Sequence, residues 1–365
     1  MTTRINEMIP VTETGDLLAA VPHLLGFHPG DSLVLLTVDE GSGTPRIGST
    51  LRIDLPCPGQ RSGLTDFLLD GPLGRQRPEA LIIVVIGRSM SSELCAEHCD
   101  DADCCAADAE GESPPHEGLV GVLTRALERA GISIVHALWT EEISQGARWS
   151  CYSDPECSGR IADPGSSSVG AAMAAAGSVT FASRAELREL VAPESDTDLA
   201  RRSARLDALL EQLEDDHDSG RPAADLRAVF AGIERIADGA ALTEEDLLRV
   251  LLAIADARVR DIVLATAVGE RAVAAEQLWL TLVRMAPVPE VADAGALLAF
   301  SAYVRGDGAL AGAALERVEE ARPEHALACL LRHALQAGIP PNELARVALD
   351  AAEDARALLH EGGPE

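Results

Sequence analysis

The stretch Ala80-Leu81-Ile82-Ile83-Val84-Val85-Ile86 places seven apolar residues in a row, between Pro78-Glu79 and Gly87-Arg88. A run of that length without polar alternation reads as a strand covered on both faces, at the centre of a sheet rather than at its rim. Residues 33–38, 47–53 and 132–139 are built alike, short and rich in Val, Ile and Leu, and also read as strands. Helical patterns lie between and after them at 63–73, 119–130 and 185–191, the last with Ser183 and Glu186 as a capping box. Alternation of this kind predicts an α/β domain over residues 1–192.

From about Thr197 the strand signal ends, and apolar residues recur at spacings of three and four between Gly and Pro. The second half is therefore expected to be all helical. Residues 201–213 read as a charged helix and 215–222 (Asp-Asp-His-Asp-Ser-Gly-Arg-Pro) as a break after it. That divides the chain into a connecting helix and linker at 197–222 and a helical-hairpin domain at 223–361. Thr243 with Asp246 marks the N-cap of a helix carrying Leu247, Leu248, Leu251 and Leu252. Gly269, Pro287, Gly306, Pro323 and Pro340 then cut the tail into helices expected to pack in sequence order.

Within that tail, Leu298, Ala299, Gly306, Ala311, Leu315 and Pro323 resemble one tetratricopeptide repeat. Such a unit is a helical hairpin with small residues at the crossing, here with Gly306-Asp307 at the turn and Pro closing the second helix. The match is partial, because Val318 stands where these repeats keep a second Ala and Gly295 where they keep a Trp. A generic helical bundle is the alternative. Stacked repeats need about three units for stability, so residues 270–285 and 324–337 would have to complete the stack.

Charge and composition remove whole classes of function. The 365 residues carry 59 acidic against 30 basic side chains, a net of -29, and every basic residue is Arg. Without lysine there is no Schiff-base or pyridoxal-phosphate chemistry, no P-loop and no protein-kinase phosphate anchor. The net potential repels phosphate backbones and anionic lipid, so neither nucleic acid nor membrane is an expected partner, and a protein with a basic segment is. Residues 1–15 contain Glu7 and Glu13 and lack the apolar run of a secretory signal. The longest uncharged stretch, 164–183, is too rich in Ser and Gly to span a bilayer. The expected compartment is the cytoplasm, where cysteines stay reduced unless they bind metal.

Several groups of residues could carry chemistry. His28 and Asp31, with His23 nearby, fall in a tight helix-to-strand turn through Gly26, Pro29 and Gly30. A His beside a carboxylate serves as a base or metal ligand, although Asp31 and Ser32 are also ordinary turn residues and His23 could cap the preceding helix. Ser89 lies in Gly87-Arg88-Ser89-Met90-Ser91, directly after the most apolar strand, where open α/β sheets place their ligands. No nucleophile elbow or dinucleotide fingerprint accompanies it. Residues 93–117 form an acidic insertion with nine carboxylates and no basic residue, containing Cys95, Cys99, Cys104 and Cys105 together with His98 and His116. Thiolate and imidazole so close together could hold zinc, but the Cys-x3-Cys-x4-Cys-Cys spacing lacks paired knuckles, and a solvated loop explains it equally. Cys151 and Cys157 bracket a turn-rich loop after a strand, as a redox pair or half a metal site, with Trp149 packed to anchor it. Arg258, Arg260 and Asp261 read as a helix-turn ion pair.

The run Asp16 to Val34, DLLAAVPHLLGFHPGDSLV, resembles the opening of an actinobacterial family known only as a domain of unknown function. Arg148-Trp149-Ser150-Cys151-Tyr152 with Asp154-Pro155-Glu156-Cys157 is similar to that family's central segment, and residues 297–323 to its helical end. Members of that family often carry a Cys pair where this chain has Cys157-Ser158, a departure that bears on any thiol chemistry the resemblance implies there. The resemblance implies an architecture and no activity. The expected function is an uncharacterised interaction or regulatory scaffold using a helical-repeat groove. The alternatives are a small-molecule binder or enzyme at the carboxyl edge of the strands, or a metal or thiol sensor. No catalytic constellation argues for an enzyme, and zinc is the one cofactor with a candidate site.

Overall fold

The computed structural model describes residues 13–39, 46–88, 114–214 and 221–361. These divide into two compact units, 1–184 and 185–365.

The first unit is built on a mixed sheet whose described strands are β1 (Ser32–Asp39), β2 (Arg46–Asp54), β3 (Ala80–Ile86), β4 (Ser133–Thr140), β5 (Arg148–Cys151) and β6 (Ser158–Arg160). Their order is β2-β1-β3-β4-β5-β6. Only β3 and β4 run parallel, and all other neighbours are antiparallel. The seven-residue run is β3 itself, between β1 and β4 and buried at every position. Its side chains alternate: Ala80, Ile82, Val84 and Ile86 join one core, and Leu81, Ile83 and Val85 the other. On the first face α1 (Thr14–Leu25) contributes Leu17, Leu18 and Val21. On the second, Leu64 and Leu68 of α2 (Arg61–Asp70), Leu73 of α3 (Pro72–Gln76) and Leu119, Leu123 and Leu127 of α4 (Glu117–Arg129) close the layer. Burying each such Leu, Ile or Val contributes about 1.5–3 kcal/mol, so this double coverage fixes β3 as the sheet's centre.

β5 and β6 hold only four and three residues, too few to show alternation in the sequence. After them come α5 (Ser168–Ala175) and α6 (Arg184–Glu189), the second beginning at the last residue of the unit. His23, read as a helix cap, instead donates from Nε2 to the Pro164 carbonyl at 2.8 Å and accepts from Thr180 Oγ1 at 2.8 Å.

The second unit is helical throughout its described residues. It contains α7 (Asp196–Glu214), α8 (Arg221–Ala237), α9 (Glu244–Ile254), α10 (Ala257–Val263), α11 (Ala272–Met285), α12 (Val291–Arg305), α13 (Gly308–Ala321), α14 (Ala326–Gln336) and α15 (Pro341–Glu361). The front α/β unit followed by an all-helical one is the expected fold class. Thr243 and Asp246 form the anticipated capping box on α9: Thr243 N–H donates to Asp246 Oδ2 at 3.0 Å and Asp246 N–H to Thr243 Oγ1 at 3.2 Å. The turn between α12 and α13 is also as read: Gly306 caps α12 at φ 93°, and Asp307 accepts from Leu310 N–H at 2.9 Å.

Packing departs from sequence order. α15 returns to lie on α10, on the turn 264–267 and on α12. Every residue from Val291 to Tyr303 is buried, including Leu298 and Ala299, because α12 is sheathed by α11, α13, α14 and α15. Ala311 and Leu315 of α13 are likewise buried, while Pro323 is exposed just past its end. The two departures from the repeat pattern complement each other. A Cβ on Gly295 would stand 2.5 Å from Val318 Cγ2, so the valine fills the space that the glycine vacates.

Candidate functional site

The carboxyl ends of β3 and β4, with the start of β1 beside them, gather polar side chains onto one sheet edge. The register sets this: Ser32 pairs with Ile86 across β1 and β3, and Ile86 with Thr140 across β3 and β4. Gly87 follows β3 at φ 136°, a conformation that L side chains rarely adopt. A Cβ there would lie 2.6 Å from Asp31 Oδ1, so Asp31 abuts the strand exit directly. Asp31 itself is left-handed at φ 40°, and its carbonyl accepts from Leu55 N–H at 3.0 Å. Trp139 Nε1 donates to the Gly87 carbonyl at 2.9 Å, and Gly87 N–H to the Thr140 carbonyl at 3.0 Å.

Arg88 is the next residue. Its guanidinium binds Glu141, with Nε to Oε1 at 2.6 Å, yet the Arg88 side chain stays 80% exposed. A pair so open to water contributes little stability and remains free to rearrange around a ligand. His116, buried and left-handed at φ 66°, donates from Nε2 to the Arg88 carbonyl at 2.8 Å. On the β1 side, Arg52 Nε donates to Ser32 Oγ at 2.9 Å and Nη2 reaches Asp54 Oδ1 at 2.5 Å. The Arg52 guanidinium also stands 6.0 Å from the Phe27 ring centroid.

Of the residues singled out in the sequence, Asp31 belongs to this edge, and His28 lies three residues earlier, half-buried, with its N–H donating to the Phe181 carbonyl at 3.0 Å. Ser89 falls outside the described residues, as do Cys95, Cys99, Cys104 and Cys105. Among the described residues no group of three or more His, Cys, Asp and Glu could hold a metal ion. The Cys151 loop sits apart from the edge, since Cys151 pairs with Leu138, two residues inside Thr140. Arg52, Trp139 and Glu141 are drawn in by strand register, and His116, which the sequence offered only beside the Cys cluster, by the turn into α4.

The helical unit holds a second polar cluster. Asp293, in the first turn of α12, is buried and accepts from His325 Nε2 at 3.0 Å, with Arg322 at 3.4 Å and Arg260 at 3.6 Å. Burial alone would raise this carboxyl, but the His325 hydrogen bond and the two guanidinium charges outweigh it and hold it below the usual range. His325 Nδ1 accepts from Ala328 N–H, so the ring joins the N-cap of α14 to α12. Arg260 also pairs with the neighbouring Asp261 at 3.1 Å, the ion pair expected there.

One open cleft lies between α7 and α9. It has a volume of about 620 Å³ and is lined by apolar Ala204, Ala208 and Leu248 together with charged Arg201, Arg205, Glu244 and Glu245. Its charges are largely satisfied within the chain: Arg201 binds Glu244, and Arg205 reaches Glu245 at 3.2 Å.

No helix among the described residues is long and apolar enough to cross a membrane. No curated protein and no solved structure matches the chain. The model of the family described as "Domain of unknown function (DUF4192)" matches residues 15–342, which takes in the sheet, its polar edge and the helices through α14. The chain belongs to that family of unknown function.

Proposed function

We propose that the α/β unit binds a small polar ligand at the carboxyl edge of β3 and β4, between Asp31, Arg88 and Glu141. The observation that carries this reading is the meeting of three left-handed residues, Asp31, Gly87 and His116, at one strand end. Non-glycine residues held in such conformations cost about 1–3 kcal/mol each, and they concentrate where a site must be shaped in advance. The edge also lies where ligands of open α/β sheets bind. Exposed Arg88 supplies donors for a carboxylate or phosphate, and Asp31 and Glu141 accept from hydroxyl or amine groups. A thermal-shift screen with nucleotides, sugar phosphates and amino acids tests it. A compound that raises the melting temperature of the wild type and loses its effect in Arg88→Ala supports the reading. A screen without hits, or hits indifferent to Arg88→Ala and Asp31→Ala, counts against it.

The cleft between α7 and α9 favours a second reading, an interaction or regulatory scaffold. Because α12 is sheathed by its own neighbours, a partner would be taken in this cleft rather than along the repeat-like hairpin. The chain's acidic balance favours a basic partner segment. A photo-crosslinker at Ala204 should then trap one protein reproducibly from host cells, and Leu248→Arg should abolish the link. Absence of any crosslink removes this reading.

A further inference from the structure

We propose that Cys151 and Cys157 form a peroxide-reactive thiol pair, with Cys151 attacking and Cys157 resolving, that closes to a reversible disulfide across the β5–β6 hairpin. The ladder brings the two residues together. Trp149 pairs with Gly159 and Ser150 with Ser158, and the next step sets Cys151 opposite Cys157, with Cys151 N–H donating to the Cys157 carbonyl at 2.9 Å. Residues directly opposite in a hydrogen-bonded antiparallel pair carry Cβ atoms about 5.5 Å apart, roughly 1 Å wider than a disulfide spans. Both side chains pack on the same core face, Cys151 fully and Cys157 partly, and both are free thiols. The connection between them is fixed by Cys157 N–H to the Asp154 carbonyl at 3.1 Å and by Glu156 N–H to Asp154 Oδ1 at 2.9 Å. With the connection held, closing the bond requires the two Cβ atoms to draw together by about 1 Å.

The surroundings divide the roles. Burial pushes the Cys151 thiol up. Hydrogen bonds from the Ser153 hydroxyl, at 3.2 Å from Sγ, and from the backbone of Ser153, Ala137 and Asp154 outweigh it, so the net shift is downward. Cys157 is shifted upward by burial, by the charge and hydrogen bond of Cys151, and by Asp154. Of the two thiols Cys151 therefore ionises first, and Cys157 keeps its proton longer. Thiolate character governs reactivity with peroxide. Cys151 lies one layer beneath the exposed residues Ser153 to Glu156, at 5% exposure, which admits a small oxidant more readily than a bulky disulfide.

The chemistry balances with hydrogen peroxide as oxidant. The Cys151 thiolate attacks one peroxide oxygen, the S–O bond forms as O–O breaks, and the departing hydroxide takes a proton to leave as water. The Cys157 sulfur then attacks the Cys151 sulfenic sulfur, S–S forms as S–O breaks, and the second hydroxide leaves as water with the Cys157 proton. Two thiols are oxidised and one peroxide is reduced to two waters.

Cleavage after Arg148 and Arg160 isolates both thiols in the single peptide WSCYSDPECSGR, residues 149–160. The reduced full-length protein, exposed to stoichiometric hydrogen peroxide and then alkylated, should yield this peptide lighter by two hydrogens and resistant to alkylation. Dithiothreitol should restore both sites. Cys157→Ser should accumulate a dimedone adduct on Cys151, whereas Cys151→Ser should leave Cys157 alkylatable. Glutathione disulfide at equal concentration should oxidise the peptide more slowly. Peptide 149–160 remaining doubly alkylated after peroxide, linkage of either residue to another cysteine, or a dimedone adduct on Cys157 rather than Cys151 would overturn the proposal. The wild-type peptide map decides the matter even if a variant fails to fold.

Discussion

Two glycines mark two places where this chain is held together, for opposite reasons. Gly87 at the end of β3 is needed for its backbone, at φ 136°, and for the close approach of Asp31. Gly295, inside the regular helix α12, is needed for room alone, because Val318 occupies the space beside it. The first corner is polar and bent, with exposed Asp31 and Arg88 beside the buried glycine; the second is apolar, straight and sealed. A chain with modest aromatic content can thus fix a sheet edge by conformation and a helix crossing by shape, and the two should answer differently to substitution.

The largest effect should come from the sealed side. Leu298→Ala removes a fully buried side chain from the middle of α12, and a cost of about 2–5 kcal/mol in urea unfolding is expected. Gly87→Ala should cost about 1–3 kcal/mol from conformation alone, and Asp31→Ala should not rescue it, since φ stays forbidden. Gly295→Ala should cost a similar amount, about 1–3 kcal/mol, by overpacking, but Val318→Ala in the same chain should recover part of it. Equal rescue at both glycines would erase the distinction. Trp139 and Trp149 report on the first unit and Trp279 on the second, so single-tryptophan versions can assign each loss. Thr243→Ala breaks the capping box of α9 for about 1 kcal/mol.

The smallest effect should be a pH dependence confined to the helical unit. Hydrogen bonds from Arg201 and then Arg202 outweigh partial burial and hold Glu244 at about 2 against an ordinary 4.5. A carboxyl with a depressed folded value binds fewer protons folded than unfolded. Its stabilisation is therefore complete above about pH 4.5 and is lost as pH falls toward about 2. Glu244→Gln should flatten the acid limb of the stability curve in that window and leave neutral pH nearly unchanged, because the group is partly exposed.

The fold was legible where one physical signal dominates. The apolar run gives β3 at its observed bounds, and Thr243 with Asp246 gives the start of α9, because each is a local statement. The hairpin turn at Gly306-Asp307 was legible for the same reason. β5 and β6 were not, being shorter than any periodicity. Nor was the return of α15 onto α10 and α12, which depends on surfaces far apart in sequence. At the candidate site, Asp31 and the strand exit could be read from turn chemistry, whereas Arg52 and Glu141 arrive through register and His116 through its bond to the Arg88 carbonyl. Asp293 offered one overlooked hint, a lone carboxylate within an apolar helix, whose partners His325, Arg322 and Arg260 no spacing rule connects.

The hydrogen bond from His116 to the Arg88 carbonyl ties the point where the chain leaves β3 to the point where it enters α4. That clamp holds the strand's exit to the helix's entry directly, without calling on the sequence between them. Substitutions between positions 89 and 113 are therefore expected to leave the stability of the sheet nearly unchanged, because the tie lies outside them.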